Sequence, residues 1–455
     1  MEKNAQYKRI ILFFEAIIIL ALQTGAFLFV WYEYYSRVIP LPYWRRGNWA
    51  VVGLYAIVLL FFSRMYGAFK VGYLKVTDVL YSQILSLLCV NFITYFQICL
   101  IGRWFMNPFP MLWLTLADVA VIIIWVITTR FIYIKLYPPR RMILIHGDRE
   151  PDALIEKMNA RRDKYKICNA IHIEEGTEAI QAAILDYEAV IICDVPSQIR
   201  NRILKFCFVK SKRVYMTPKI SDIIIRGSDS IHLFDTPLLL SRNQGLTAEQ
   251  RVIKRAADII ISVLGIVVAS PFMMIIAILI KAYDGGPVFY RQERVTKDGE
   301  RFQIYKFRSM ITDSEKSGAR LAKKNDERVT PIGKVLRNIH FDELPQLFNI
   351  LQGHMSIVGP RPEREAIISE YEEEIPEFRF RLKVKAGLTG YAQVFGKYNT
   401  TPYDKLKLDM YYIENYSIWL DLKLMFMTFK ILFQKENSEG VDDWQVTALT
   451  KESGK

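Results

Sequence analysis

Cysteine is scarce in this chain, and its spacing excludes the usual roles of that residue. The 455 residues include five cysteines, none in a CxxC pair and none after position 207. A disulfide framework, a structural zinc site and a thiol nucleophile each need a characteristic arrangement of cysteines that is missing here. We therefore expect carboxylates to carry any chemistry.

The sequence also lacks the GxGxxG fingerprint of a dinucleotide-binding turn and a small-residue cleavage site near its start. The first strand predicted after the N-terminal apolar block runs into His146-Gly147-Asp148-Arg149, which has one glycine instead of three. That turn favours a spacer or dimerisation domain, with nucleotide binding as the alternative. Without a cleavage site, we expect the first apolar run to be retained as a membrane anchor.

Hydrophobic and basic residues are both abundant, but they occupy different parts of the chain. Hydrophobic residues make up 51% of the sequence, and the formal net charge is +13. This segregation is typical of a membrane protein whose water-facing parts are basic. We expect membrane lipid, and not nucleic acid, to be the partner of that basic surface.

Four apolar segments open the chain, and each approaches the ~20 residues that a helix needs to cross a bilayer. They lie at residues 11–31, 49–66, 79–101 and 111–134. Lysine and arginine are more numerous on the side that holds both ends of this block, which places that side in the cytoplasm. Glu15 and Asp118 lie within spans, where they mark either a transport path or, more commonly, helix-packing or interfacial positions. We predict a four-helix transmembrane block over residues 1–137.

Strands and helices alternate beyond a proline- and arginine-containing linker. Strands are predicted at residues 142–146, 166–172, 189–193 and 213–216, with helices at 151–160, 177–185 and 198–210. This alternation indicates a small α/β unit with a mostly parallel sheet. We predict a cytoplasmic, Rossmann-like domain over residues 138–245.

A second membrane element is predicted at residues 252–281. The stretch is almost wholly apolar apart from Asp258, and Ser270-Pro271 interrupts its middle. Proline removes a backbone donor and serine can bond back to a freed carbonyl, so a kink is expected there. Basic residues flank both ends, which favours a re-entrant helix over a fifth span.

Two adjacent carboxylates, Asp342 and Glu343, stand at the start of an apolar run that stops at Gly353. We predict a helix with Asp342 as its N-cap, Pro345 in the first turn and Gly353 as the C-terminal signal. An ionised Asp beside a Glu able to hold a metal, with Arg337 nearby, suits attack on a phosphoryl group. An ordinary acidic N-cap is the alternative.

Further candidate residues lie on either side of that pair. The period of two along the strand predicted at residues 302–310 puts Lys306 and Arg308 on one face, where they suit phosphate or are merely solvated. The rigid turn Gly359-Pro360-Arg361-Pro362 presents Arg361 to a phosphate or to a buried carboxylate. Residues 404–430 carry aromatics that belong either to surface-lying amphipathic helices or to a core.

The motifs after residue 250 resemble those of the bacterial sugar transferases, the monotopic polyprenyl-phosphate hexose-1-phosphate transferases. The likeness covers about residues 250–430 and is greatest to the large members that start exopolysaccharide, capsule or O-antigen synthesis. Its motifs, in order, are Ser270-Pro271, Lys306-Phe307-Arg308-Ser309-Met310, Phe341-Asp342-Glu343-Leu344-Pro345-Gln346, Gly353-His354-Met355-Ser356, Gly359-Pro360-Arg361-Pro362 and Gly387-Leu388-Thr389-Gly390.

The resemblance implies a mainly α, monotopic catalytic domain over residues 246–455, anchored by a re-entrant helix that breaks at Ser270 and Pro271. It implies that Asp342 is the nucleophile, that Glu343 helps to hold Mg²⁺, and that Arg337 assists. Phosphate-binding roles are implied or predicted for the remaining positions, Lys306, Arg308, Arg361, Pro362, Thr389 and Gly390.

The activity implied is transfer of a hexose-1-phosphate from a UDP-sugar to undecaprenyl phosphate in a bacterial inner membrane, with release of UMP. A homodimer through the α/β domain is a further expectation. The sequence departs from the family pattern at Ala386, at His354 and after Tyr290, which concerns sugar preference more than reaction type. A non-catalytic membrane scaffold or sensor, and a flippase for lipid-linked sugars, are the rival functions.

Overall fold

The chain divides into two units, Met1–Thr217 and Pro218–Lys455, in the computed structural model. The structure describes residues 2–40, 45–147, 151–241, 245–311, 328–397 and 400–432. Asp148 and Arg149, in the turn that lacks the dinucleotide fingerprint, lie outside the described residues. Each unit has its own apolar core.

Long apolar helices form the N-terminal part of the first unit, as predicted. Helix α1 (Glu2–Val30) continues through a π-helical turn (Trp31–Tyr35) to Val38. It is followed by α2 (Arg45–Tyr66), α3 (Val76–Gly102) and α4 (Phe109–Leu136). All four contain segments long and apolar enough to cross a membrane, and a fifth such helix occurs later in the chain. The chain is therefore a membrane protein.

Glu15 and Asp118 are buried between these helices, with exposed fractions of 8% and 0%. The Trp125 indole Nε1 donates a hydrogen bond to the Glu15 carbonyl at 3.1 Å, which joins α1 to α4. The Tyr55 hydroxyl donates to Asn91 Oδ1 at 3.0 Å and joins α2 to α3. These bonds join neighbouring helices without the carboxyl oxygens Glu15 Oε2, Asp118 Oδ1 and Asp118 Oδ2. The role of these two carboxyl groups stays a prediction.

A four-stranded parallel sheet completes the first unit, in the strand order β2-β1-β3-β4. The strands are β1 (Arg140–His146), β2 (Tyr165–His172), β3 (Ala189–Cys193) and β4 (Arg213–Met216), and the helices between them are α5 (Asp152–Asn159), α6 (Thr177–Ile184) and α7 (Ser197–Val209). The central strands β1 and β3 are buried on both faces because helices cover both sides of the sheet. The predicted α/β region with a parallel sheet is confirmed.

The division of the chain after Thr217 differs from the predicted domain boundary at residue 245. Helix α8 (Ile220–Arg226) belongs to the second unit because Ile220 and Ile223 enter its apolar core. A hairpin of β5 (Asp229–Leu233) and β6 (Thr236–Leu240) follows, with both strands exposed along their length.

Helix α9 (Ala248–Asp284) is the fifth long apolar helix. It begins at a capping box of Thr247 and Gln250 and ends at Gly285, whose φ of +71° is the left-handed conformation that glycine favours. Ser270 and Pro271 lie inside the helix, with no gap in helical structure between two halves. The Ser270 hydroxyl donates to the Val267 carbonyl at 2.9 Å, which is the acceptor that Pro271 leaves without an amide donor.

The rest of the second unit surrounds an apolar core built from many short elements. They are β7 (Phe289–Val295), β8 (Arg301–Phe307), α10 (Pro331–Asn338), α11 (Gln346–Gln352), β9 (Ser356–Val358), α12 (Glu365–Glu374), β10 (Gly387–Thr389), α13 (Tyr391–Phe395), α14 (Pro402–Glu414) and α15 (Ile418–Leu432). Tyr411, Tyr412 and Tyr416 pack in or against this core, whereas Trp419 is exposed. The aromatics of residues 404–430 are thus largely core.

Candidate active site

The Asp342-Glu343 pair lies in a tight 3₁₀ turn (Phe341–Glu343) between α10 and α11. His340 enters that turn with a φ of +56°, an uncommon conformation for a residue with a side chain. Helix α11 begins only at Gln346, with Pro345 as its N-cap. The prediction that Asp342 caps this helix is therefore wrong, because Pro345 occupies that boundary. Gly353 ends the helix with a φ of +91°, as predicted.

Glu343 is held by two cations from different elements. Its Oε1 lies 2.6 Å from Lys306 Nζ, on β8, and 3.0 Å from Arg361 Nη2, in the loop after β9. Burial raises the pKa of Glu343, but the charges of Lys306 and Arg361 outweigh burial, so the pKa is lowered well below its usual range. Glu343 is thus a carboxylate at any physiological pH.

Asp342 has a different environment although it is the next residue. Its exposed fraction is 8%, and burial raises its pKa, assisted by the negative charge of Glu343. Lys306 and Arg337 oppose that shift through their positive charges. Adjacent titratable groups whose pKa values are pushed apart are typical of sites that divide roles between two carboxylates.

Lys306 and Arg308 do not lie on one face of a strand, so the prediction from strand periodicity is wrong for Arg308. Strand β8 ends at Phe307, so the alternation does not extend to Arg308. The buried Arg308 guanidinium pairs with Asp284 at the end of α9, with Nη1 2.8 Å from Asp284 Oδ2. It also lies so close to Gly286 that a side chain there would collide with it. Arg308 therefore fixes the end of α9, and Lys306 remains beside the carboxylates.

Arg337 is placed by a hydrogen bond from its Nε to Ser309 Oγ at 2.9 Å. Helix α10 comes close to the same serine, because an added Cβ at Gly333 would lie 2.0 Å from the Ser309 carbonyl oxygen. Ser309 thus links the segment just after β8 to Arg337, whose positive charge lowers the pKa of Asp342.

Arg361 is presented by two short parallel strands, β9 and β10. Their glycines touch: an added Cβ at Gly387 would lie 2.1 Å from the Gly359 amide nitrogen, and one at Gly390 would lie 2.1 Å from the Gly359 carbonyl. The buried Arg381 guanidinium donates to the Arg361 carbonyl at 3.1 Å and is 2.8 Å from Asp409. The glycine contacts and the Arg381 hydrogen bond fix the loop backbone, while the Arg361 side chain stays 49% exposed.

Three further predicted positions have structural contacts in the same region. The Pro362 carbonyl lies 3.4 Å from Arg294 Nη1. Thr389 is buried, and its hydroxyl lies 2.6 Å from the hydroxyl of Thr428 on α15. Gly390 packs on Gly359, as described above. A direct phosphate contact of these three residues stays a prediction.

Asn349 is a residue of this site that sequence reasoning missed. It is fully buried in α11, where its side-chain amide donates to the Gln303 carbonyl at 2.7 Å and accepts from the Tyr305 amide at 2.9 Å. These bonds join α11, which follows the Asp-Glu turn, to β8, which carries Lys306. The available signal was a single asparagine among the apolar residues Leu347, Phe348, Ile350 and Leu351.

The two carboxylates also suit a magnesium ion. Among the described residues, no group of three or more His, Cys, Asp or Glu side chains could hold a metal by itself. Mg²⁺ usually takes one or two carboxylates together with substrate phosphates and water. Both cations bond to Glu343 Oε1, so Oε2 accepts neither of these bonds. The residues present fit a metal that is completed by a bound diphosphate.

Comparison with known proteins identifies the family. Residues 249–435 match the family model described as bacterial sugar transferase. The exopolysaccharide production protein PSS of Rhizobium leguminosarum bv. phaseoli is 41% identical over 186 residues, which are 39% of this chain and 93% of that protein. The chain belongs to the bacterial sugar transferase family. The matched region contains every predicted site residue.

Two longer relatives of this sugar transferase have more specific names. The UDP-N-acetylgalactosamine-undecaprenyl-phosphate N-acetylgalactosaminephosphotransferase of Aeromonas hydrophila is 40% identical over 235 residues, 51% of this chain and 55% of the relative. The UDP-glucose:undecaprenyl-phosphate glucose-1-phosphate transferase of Klebsiella pneumoniae is 42% identical over 209 residues, 45% and 43% of the two chains. The sugar transferase thus matches these relatives over about half their length.

Proposed function

We propose that this sugar transferase moves a sugar-1-phosphate from a UDP-sugar to undecaprenyl phosphate, the first step in building a bacterial surface polysaccharide. The observation that carries the proposal is the Asp342-Glu343 turn, with one buried carboxyl and one carboxylate held by Lys306 and Arg361. The names of the relatives, which pair UDP-sugars with undecaprenyl phosphate, support the substrate classes.

The reaction proceeds in two displacements. In the first, a carboxylate oxygen of Asp342 attacks the phosphorus that bears the sugar, and the bond from that phosphorus to UMP breaks. In the second, an oxygen of undecaprenyl phosphate attacks the same phosphorus, and its bond to Asp342 breaks. The products are UMP and undecaprenyl diphosphate-sugar, and the Asp342 carboxylate is restored.

The chain's own cations have separate tasks in this scheme. Lys306 and Arg361 lie at Glu343 and are placed to bind the diphosphate beside it, with Arg361 half exposed to the substrate side. Arg337 favours the ionised form of Asp342. Fixed positive charge next to the reacting phosphorus stabilises the charge that develops in the transition state.

Glu343, with Asp342 beside it, would hold Mg²⁺ together with the diphosphate of the donor. When bound, the ion supplies charge neutralisation at the phosphate oxygens. Glu343 suits this task because its pKa is low, so the ligand is always ionised.

The membrane arrangement is also part of the proposal. We infer that α1–α4 form a multi-pass block in the bacterial inner membrane, with the α/β and catalytic regions in the cytoplasm. The side bearing both ends of the block is the more basic, as the positive-inside rule requires. We infer that α9 is re-entrant around Ser270 and Pro271, so that the site faces nucleotide sugar in water and lipid phosphate at the membrane surface. A homodimer through the α/β region completes the proposal.

The test is UMP release by purified full-length protein with Mg²⁺, undecaprenyl phosphate and a panel of UDP-sugars. We expect release with one donor, and a fall of roughly four orders of magnitude in Asp342→Asn, as expected for removal of a nucleophile. Asp298→Asn is the matched control, because Asp298 lies 69% exposed in the turn between β7 and β8. Near-normal turnover in Asp342→Asn would exclude Asp342 as the nucleophile.

A further inference from the structure

The first turns of α9 carry charged residues that are turned into the protein. Lys254 and Asp258 have exposed fractions of 6% and 5%, although they lie at the start of a helix long and apolar enough to cross a membrane. Arg255, between them, is half-buried, whereas Arg251 one turn earlier is exposed. In the sequence these cations look like flanking charges of a membrane helix. Arg255 and Asp258 instead contact α11 and β9, the elements next to the candidate active site.

Arg255 caps the far end of α11. Its Nη1 and Nη2 donate to the carbonyls of Ile350 and Leu351 at 2.6 and 2.7 Å. Lys385 adds a third donor, to the Gly353 carbonyl at 2.6 Å. The last carbonyls of a helix have no intrahelical partner and carry partial negative charge, so cations bind there. Helix α11 starts three residues after Glu343, so Arg255 fixes the element that leads from the carboxylate turn.

Asp258 holds the element that leads to Arg361. One carboxylate oxygen, Oδ1, accepts from Ser356 Oγ at 3.0 Å and from the Ile357 amide at 2.9 Å. Both donors are in β9, which runs directly into Gly359-Pro360-Arg361. A buried carboxylate bonded to a backbone amide is a strong, directional attachment.

Lys254 makes a third attachment in the same turn of α9. Its Nζ lies 2.6 Å from Asp421 Oδ2 and 3.1 Å from the Tyr412 hydroxyl. That hydroxyl is 2.7 Å from Asp421 Oδ1 and 3.2 Å from the Val358 carbonyl, at the end of β9. All three polar groups of this cluster are almost fully buried. The cluster ties α9 to α14, α15 and β9.

We propose that Arg255 and Asp258 are positioning residues of the transferase. Through α11 and β9 they hold the Asp342-Glu343 turn and the Arg361 loop in fixed relative positions. Helix α9, which we infer to enter the membrane, thereby sets the geometry of the site. The inference rests on the proposed function for its kinetic consequence, but the contacts do not depend on it. Glu343 Oε1 and Arg361 Nη2 are 3.0 Å apart, so a small shift of either element would separate them.

The kinetic test compares full-length Asp258→Ala, Asp258→Asn, Arg255→Gln and Arg255→Lys, with Arg251→Gln as matched control. A misplacement of about 1 Å costs on the order of 100-fold in rate, so we expect kcat of Asp258→Ala and Arg255→Gln to fall by about 10- to 100-fold. Asp258→Asn retains an oxygen acceptor for the Ile357 amide and should recover most of the rate. Arg255→Lys retains a donor and should recover part of it.

The conservative variants distinguish a positioning role from a purely structural one. For a positioning role, we expect KM for the UDP-sugar and Tm to stay near the wild-type values in Asp258→Asn and Arg255→Lys. We also expect kcat of Arg251→Gln to be unchanged. An unchanged kcat in Asp258→Ala would overturn the proposal. So would a set of variants in which kcat falls only in proportion to the loss of folded protein.

Hydrogen exchange on the same proteins provides a readout without turnover. In Asp258→Ala we expect faster amide exchange in β9 and the following loop, and in Arg255→Gln faster exchange in α11, with β1 and β3 unchanged in both. If the wild type releases no UMP with any donor, the proposed function fails, while this exchange pattern still decides the positioning role. Equal exchange in variants and wild type would refute it.

Discussion

Asp342 and Glu343 are neighbours in sequence but have opposite electrostatic surroundings. Lys306 and Arg361 form salt bridges with Glu343, so positive charge neutralises this carboxylate before any substrate binds. Asp342 is buried beside that balanced group, and its raised pKa marks a carboxylate that is less stabilised by its surroundings. A less stabilised carboxylate is the better nucleophile once ionised. This difference supports the proposal that Asp342 is the nucleophile and Glu343 the metal ligand.

We expect Lys306 to control the acid limb of the pH profile. As the proposed nucleophile, Asp342 must be ionised to attack, and the positive charge of Lys306 lowers its pKa against the effect of burial. Lys306→Met removes that charge, so the pKa of Asp342 rises and the acid limb of kcat/KM moves to higher pH. The pKa of Glu343 rises as well, because it loses a hydrogen-bonded cation.

The measurement is the pH dependence of kcat/KM, which reports on the free enzyme. Lys334→Met serves as the control, because Lys334 is exposed on α10. An acid limb at the same pH in Lys306→Met and wild type would contradict the assigned electrostatics.

Sequence motifs predicted which residues meet, but not all of their partners. Arg361 and Lys306 were expected to bind phosphate, and the structure brings both to Glu343. Arg308 was expected beside Lys306, yet it pairs with Asp284, because the strand ends one residue too early for the alternation to apply. Asn349 was missed because its partners are backbone groups of β8, and a backbone partner leaves no pattern in the sequence.

At the scale of elements, α9 combines an apolar surface with polar attachments to the catalytic region. Strand and helix positions in residues 140–216 followed from periodicity, because buried parallel strands and short amphipathic helices have clear patterns. The hairpin β5–β6 was not predicted, because Pro237 within β6 argues against a strand. The late start of α11 was missed because Pro345 fits the first helical turn as well as the N-cap.

The course of α9 through the membrane can be measured by labelling from one side. In a chain whose native cysteines are serine, Arg251→Cys and Tyr283→Cys place thiols at exposed positions near the two ends of the helix. We expect a re-entrant helix to expose both thiols to a membrane-impermeant maleimide from the cytoplasmic side only.

The exposed Cys168, restored alone, is the reference for the side of the α/β region. Labelling of Arg251→Cys and Tyr283→Cys from opposite sides would show that α9 crosses the membrane.

For the whole molecule, the division after Thr217 separates the proposed catalytic residues from the N-terminal helices and sheet. Every residue assigned to the site lies between Ser270 and Gly390. The Rhizobium relative, 93% of which is matched by 39% of this chain, consists largely of the catalytic region. The second unit therefore has the size and content of an enzyme in its own right.

A protein that starts at Pro218 should fold and retain most of the UMP-releasing activity in detergent, since its core and site are complete. Circular dichroism and the UMP assay check this, with Asp342→Asn in the shortened protein as the inactive control. A folded but inactive shortened protein would show that the first unit contributes to catalysis directly.

The touching glycines at 359, 387 and 390 limit which substitutions are tolerated in and after strands β9 and β10. Even alanine at Gly359 would place its Cβ 2.3 Å from the Lys385 carbonyl oxygen, and the other two positions are tighter still. A mutational library over the loops should therefore yield active clones that vary around these three positions but keep glycine at each. Variation in these loops is therefore confined to the side chains that flank this backbone contact and is excluded from the contact itself.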